Sequence, residues 1–189
     1  MHQVLEQHIR AKLGTDTAGL EEVISYFQPL ELKRNDYLLR EGELCRSCYF
    51  IVNGVIQVFT IDAVGNETTR DFILEEHWLM EINSFLQQIP SKEFFRAAEP
   101  SQVLCISREH FMDLSARFPQ FEKMYRQILE LSYANSVYRI NSFVSMDALE
   151  RLRWMMDHQP KLFTRLSSKM IASYLGISPE TYTRLKGKL

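Results

Sequence analysis

Glycine is missing from the whole stretch between residues 66 and 175, and only seven glycines occur in 189 residues. Phosphate loops and strained nucleophile turns depend on glycine, and no Gly-x-x-x-x-Gly-Lys, Gly-x-Ser-x-Gly or His-Glu-x-x-His is present. No catalytic residue is therefore assigned, and the chain is not read as an enzyme. Cysteine is equally sparse: Cys45, Cys48 and Cys105 cannot close a disulfide framework, which fits a reducing compartment. Cys45 and Cys48 do form a Cys-x-x-Cys. A zinc site needs four ligands and an iron–sulfur cluster usually four thiolates, yet no second Cys-x-x-Cys or paired His follows. Neither a metal nor a cofactor is expected. There is no run of about 18 apolar residues, and Met1 to His8 lack the basic flank and apolar stretch of an export signal. A cytoplasmic location without membrane contact is the expectation.

The near balance of charge, 22 Lys and Arg against 24 Asp and Glu, conceals an asymmetry. From Arg151 to Leu189 eight basic residues face only Asp157 and Glu180, a net of six positive charges, so residues 1–150 carry a net of eight negative ones. A basic end on an acidic body is the footprint of a segment that meets phosphates.

Apolar spacing divides the chain. Leu5, Ile9 and Leu13, then Leu20, Val23, Ile24 and Phe27, recur at three- and four-residue steps and predict helices over 4–27 with a break near Gly14-Thr15-Asp16-Thr17. From Pro29 the period shortens. Runs at 30–33, 37–40, 48–52, 55–61, 67–73, 94–98 and 102–107 predict short strands, punctuated at Glu41-Gly42-Glu43, Asn53-Gly54 and Gly65-Asn66. Asn53-Gly54 between apolar runs predicts a hairpin. Seven or so strands with regular turns predict an antiparallel barrel or jelly roll. Ser107 is placed to cap the next helix, and a long helix is expected from about Pro119 to Phe143. Its Phe121, Met124, Ile128, Leu131, Asn135 and Tyr138 occupy a and d positions of a heptad, a seam suited to a second copy of the chain in which Asn135 would fix register. The competing reading packs that face on the barrel. A further helix is expected from Ala148 to about Asp157, ended by Gln159-Pro160.

Residues 168–189 have the spacing of a helix-turn-helix. Ala172 is small where two helices must cross, and Gly176 follows the first helix where the chain turns through a left-handed conformation. Ile171, Leu175, Ile177, Tyr182 and Leu185 fall on the inner faces. Ser178 is placed as N-cap and Pro179 at the first helical position, where a missing N–H is harmless.

Taken in order, helix, β-roll, long helix and terminal helix-turn-helix resemble the Crp/Fnr family of transcription regulators. The residues that carry the likeness are Leu39-Arg-Glu-Gly-Glu43, Tyr49-Phe-Ile-Val-Asn-Gly-Val-Ile-Gln-Val58 and Ile171 to Leu185. The resemblance implies an α+β chain of three segments: a β-roll, jelly-roll-like sensor domain over 1–116, a dimerisation helix over 117–144, and a winged-helix-type helix-turn-helix domain over 145–189. It implies double-stranded DNA and a homodimer partner, with RNA polymerase as a further candidate and the effector unknown. Glu180 and Arg184 then face base edges, Arg184 toward guanine and Glu180 toward a cytosine amino group while holding Arg184 in place. Ser168, Lys169, Thr181, Lys186 and Lys188 become phosphate contacts, with Ser178 at the start of the reading helix.

The family's cyclic-nucleotide cassette, similar to Phe-Gly-Glu-Leu followed by Arg-Ser-Ala, aligns with Trp78-Leu-Met-Glu-Ile82. Met80 replaces the glycine, Glu81 keeps the acid, and Ser91-Lys92 stand where Arg-Ser is required. The backbone cannot approach a phosphate past Met80, and the bidentate guanidinium is gone. The pocket of Trp78, Met80, Glu81, Ser91 and Lys92 is thus expected to be degenerate, with Glu81 left as a salt-bridging group. Trp78, Phe85, Phe94 and Phe95 either fill it or line a site for a less charged effector. The alternative function is a β-roll that binds a ligand or protein without DNA.

Overall fold

Eight short strands rich in β-branched and aromatic residues pair into two four-stranded sheets, framed by nine helices among the described residues. The computed structural model describes residues 1–14 and 18–189. In chain order it contains α1 (His2–Leu13), α2 (Leu20–Ser25), β1 (Gln28–Leu32), β2 (Tyr37–Leu39), β3 (Ser47–Asn53), β4 (Ile56–Ile61), β5 (Glu67–Ile73), β6 (Trp78–Leu79) and α3 (Ile82–Gln87). There follow β7 (Phe94–Ala97), β8 (Ser101–Ser107), α4 (Arg108–Arg117), α5 (Pro119–Ser145), α6 (Ala148–His158), α7 (Leu162–Arg165), α8 (Ser168–Leu175) and α9 (Pro179–Lys186). Of the expected break at 14–17, Gly14 ends α1, and residues 15–17 lie outside the described residues.

The strand orders are β1-β8-β3-β6 and β2-β7-β4-β5, the alternation of a jelly roll. β8 pairs antiparallel with β1 and β3, β6 with β3, and β7 with β2. Asn53-Gly54 therefore does not close a hairpin, because β3 and β4 belong to different sheets. It is the corner where the chain crosses between them. Gly54 holds φ 103°, a Cβ there would overlap Ser101, and its amide donates to Glu75 Oε1 at 3.0 Å. The hairpin lies one strand later, between β4 and β5, where Asp62 Oδ1 accepts from the amides of Val64 and Asn66.

The chain divides into two compact units. The first holds residues 1–58 and 72–131, and its core gathers Phe27, Phe50, Phe85, Phe95, Leu104, Phe111, Phe121 and Met124, all at most 2% exposed. Full burial of each such side chain is worth roughly 1.5–3 kcal/mol. The second unit holds 59–71 and 132–189, and buries Leu152, Met155, Leu162, Ile171, Leu175, Tyr182 and Leu185. These units cut the chain differently from the three expected segments: the tip of the β4–β5 hairpin belongs with the C-terminal helices, and α5 is shared. Residues 145–189 form helices and no strand, so the wing of the winged-helix expectation is not found there. No helix among the described residues is long and apolar enough to cross a membrane.

Candidate nucleic-acid interface

The C-terminal helix pair is built by local rules that agree with one another. Ser167 Oγ accepts from the Met170 amide and starts α8 one residue before Ser168. Gly176, at φ 68°, ψ 35°, ends it in a Schellman turn: the Ile177 amide reaches Ala172 O at 3.0 Å and the Gly176 amide reaches Ser173 O at 3.2 Å. Ser178 Oγ then accepts from the Thr181 amide at 3.2 Å, with Pro179 at the first position of α9. Ala172 is fully buried at the crossing, and Tyr182 and Leu185 seat α9 against α8 and α6.

The outward face of α9 carries Glu180, Thr183, Arg184 and Lys186, all exposed. Glu180 keeps its carboxyl below the usual carboxylate range through its own backbone amide and the Ser178 hydroxyl, so it stands as an ionised acceptor. It does not hold Arg184: among the described residues neither side chain forms an ion pair, and the guanidinium is exposed. Thr181 is half-buried, and its hydroxyl accepts from Ser178 Oγ, which makes it part of the cap. Ser168, Lys169 and Lys188 are exposed at the ends of the pair. Thr183 was not singled out by the sequence. It lies between Glu180 and Arg184, with its hydroxyl donating to Pro179 O at 3.0 Å, and only the helical phase of α9 reveals it.

Helix α5 carries two apolar stripes on roughly opposite sides. The expected stripe is mostly occupied within the chain. Phe121 and Met124 lie in the core of the first unit, Ile128 packs against that core, and Tyr138 meets the ring of Trp154 with centroids 5.1 Å apart. Leu131 and Asn135 are exposed, and Tyr138 remains 41% exposed beside Trp154. On the other side Tyr133, Val137, Ile140 and Val144 follow at steps of four, three and four, and Tyr133, Ile140 and Val144 are 73%, 62% and 83% exposed.

The five residues of the expected effector pocket are mostly engaged in the protein's own packing and turns. Trp78 Nε1 donates to His8 Nε2, and its ring packs on Phe27 and Phe50. Met80 packs against the core. Glu81 is not a salt-bridging group: it is the N-cap of α3 and accepts from the amides of Asn83 and Ser84 at 3.2 and 2.6 Å. Ser91 is buried in its own turn, where Oγ accepts from the Glu93 amide, and Lys92 faces solvent. Phe85 and Phe95 lie in the core, and Phe94 packs edge-on against Tyr37. A cavity of about 540 Å3 lies against Leu38, Gly42, Glu43, Arg46 and Tyr49, and Ser91 borders it: the Gly42 amide donates to Ser91 O and the Ser91 amide to Glu43 O, each at 2.8 Å. Cys48 is fully buried and burial pushes its thiol well up; Cys45 Sγ accepts from the Glu81 amide and donates to Ser47 O. Among the described residues no three His, Cys, Asp or Glu side chains are grouped to hold a metal ion.

Residues 29–118 match the model of the cyclic nucleotide-binding domain family. The chain is 27% identical over 182 residues to the anaerobic regulatory protein of Pasteurella multocida, covering 90% of this chain and 65% of that protein. To the transcriptional activator protein anr of Pseudomonas aeruginosa it is 27% identical over 183 residues, covering 90% and 72%. The chain thus spans about two thirds of the length of these relatives. Among solved structures it superposes on FixK2 from Bradyrhizobium japonicum with a TM-score of 0.75 at 15% identity, over 86% of this chain and 84% of that one. The c-di-GMP-responsive global regulator CLP of Xanthomonas campestris gives 0.74 at 15% identity, over 92% and 91%.

Proposed function

We infer that this chain, a member of the Crp/Fnr family, is a transcription regulator that binds double-stranded DNA sequence-specifically as a homodimer. The observation that carries the reading is the capped α8–α9 pair, with Glu180, Thr183 and Arg184 presented outward from a basic segment. A helix so presented fits the major groove, where its first turns meet base edges. Ser168, Lys169, Lys186 and Lys188 supply phosphate contacts that set affinity and register, and Ser178 and Thr181 shape the first turn of α9. The second copy packs along Tyr133, Val137, Ile140 and Val144, the α5 stripe in which Tyr133, Ile140 and Val144 are more than 60% exposed. Activation or repression through RNA polymerase then depends on where the site lies.

Selection of bound sequences from a random duplex library tests this reading. The expected product is a two-fold symmetric site with half-site centres about 34 Å, one helical turn, apart. No enrichment, with no retention on duplexes at low salt, would leave the β-roll as a ligand- or protein-binding module.

Cyclic AMP and cyclic GMP are not effectors on this reading. Where a phosphate would approach the amides of α3, the Glu81 carboxylate already accepts from them and would repel an anion. Ser91, in the position of the required guanidinium, is buried in its turn. Millimolar nucleotide is expected to leave the thermal midpoint unmoved, and a concentration-dependent rise would contradict the degenerate pocket.

A further inference from the structure

Within the second unit, the first helix of the DNA-reading pair is fastened to a strand of the roll. β5 ends the sheet β2-β7-β4-β5, so one of its edges has no strand beside it. Alternate residues of a strand turn their backbone groups to the same edge, and at residues 67 and 69 that edge is met by side chains. Ser173 Oγ, from the middle of α8, accepts from the Thr69 amide at 2.8 Å and donates to Glu67 O at 2.7 Å. One hydroxyl thus does what a neighbouring strand would do. Arg139, from α5, donates through Nη2 to Tyr174 O at 2.7 Å and to Thr69 O at 3.3 Å, and lies 3.8 Å over the Tyr174 ring. Strand edge, α5 and the end of α8 therefore meet at a single guanidinium.

We propose that the outer edge of β5 is the seat that holds the DNA-reading helices, and that the β4–β5 hairpin sets DNA affinity through Ser173 and Arg139. This rests on the DNA-binding reading above. The recognition face of α9 stays exposed while the latch is closed, so the latch presents the helices and does not cover them. Opening it makes the reading helices less ordered before binding, and the affinity falls by the cost of ordering them again.

The test compares the full-length chain with Ser173→Ala and Ser173→Thr. Alanine loses both hydrogen bonds but is the better helix former, so a weaker complex cannot be blamed on melting of α8. Ser173→Ala is expected to bind a selected duplex on the order of tenfold more weakly, and to exchange the Thr69 amide faster. Ser173→Thr keeps the hydroxyl and restores both. Arg139→Lys retains the charge but loses the planar guanidinium that lies over the Tyr174 ring, and is expected to weaken binding in the same direction. Unchanged affinity and exchange in both Ser173→Ala and Arg139→Lys would overturn the proposal, as would tighter binding, which would mean that the latch holds the helices away from DNA. If the unaltered chain binds no duplex, the DNA reading fails by itself. Amide exchange at Thr69 then still reports whether the latch exists.

Discussion

Arg184→Ala is expected to weaken binding to the selected duplex by about 1–3 kcal/mol and to erase the preference at one base pair of each half-site. The guanidinium is exposed near the end of α9 and has no ion pair among the described residues, which leaves its donors available to a base edge. Two parallel N–H donors match guanine O6 and N7, a pairing that lysine cannot reproduce. Lys186→Ala is the matched control. Its ammonium lies 5.9 Å from the centre of the Tyr182 ring on the flank of the helix, a position suited to phosphate. That variant is expected to weaken all sequences alike and to reduce the slope of log K against log salt by about 1. Anisotropy titrations against the selected site and its point variants, at two salt concentrations, separate the two effects. Equal and sequence-independent losses from both variants would remove Arg184 from base readout.

Local chemistry was legible in the sequence because each feature depends on a few adjacent residues. Ser107, Gly176, Ser178 and Pro179 cap, end or start helices as expected, and their hydrogen bonds close within five residues. The strands were legible too, apart from the two-residue β6, which is too short to show a period. What failed depended on distant partners. Asn53-Gly54 has the chemistry of a hairpin turn, but β8 pairs with β3 and leaves β4 to the other sheet. Glu81 was expected to be left as a salt-bridging group. Its side chain instead caps α3, a role usually filled by Ser, Thr, Asp or Asn. The heptad on α5 was real as a pattern, yet a pattern does not say which stripe the chain uses itself. The roll needs Phe121 and Met124 to complete its core, and Trp154 meets Tyr138, so part of that stripe is engaged within the chain.

The proposed seam along Tyr133, Val137, Ile140 and Val144 carries the largest expected effect. Ile140 is 62% exposed and lies in the middle of the free stripe, so Ile140→Glu should leave the fold of a single chain intact, with unchanged helical circular dichroism. In a two-stranded seam the same change buries two carboxylates against each other, and like charges out of water cost several kcal/mol. The variant is expected to sediment as a monomer. Each half-site contact then loses the advantage of its tethered twin, and affinity for the full site should fall about 10²–10⁴-fold, toward that of a half-site alone. Leu131→Glu, on the opposite stripe, decides between the two registers. If it separates the copies while Ile140→Glu does not, the a/d seam through Asn135 is the interface, and the exposed row from Tyr133 to Val144 needs another partner. If Ile140→Glu alone separates them, the dimer is built on the face of Tyr133, Val137, Ile140 and Val144. The loss of full-site affinity then measures how much of DNA recognition comes from having two reading helices on one frame.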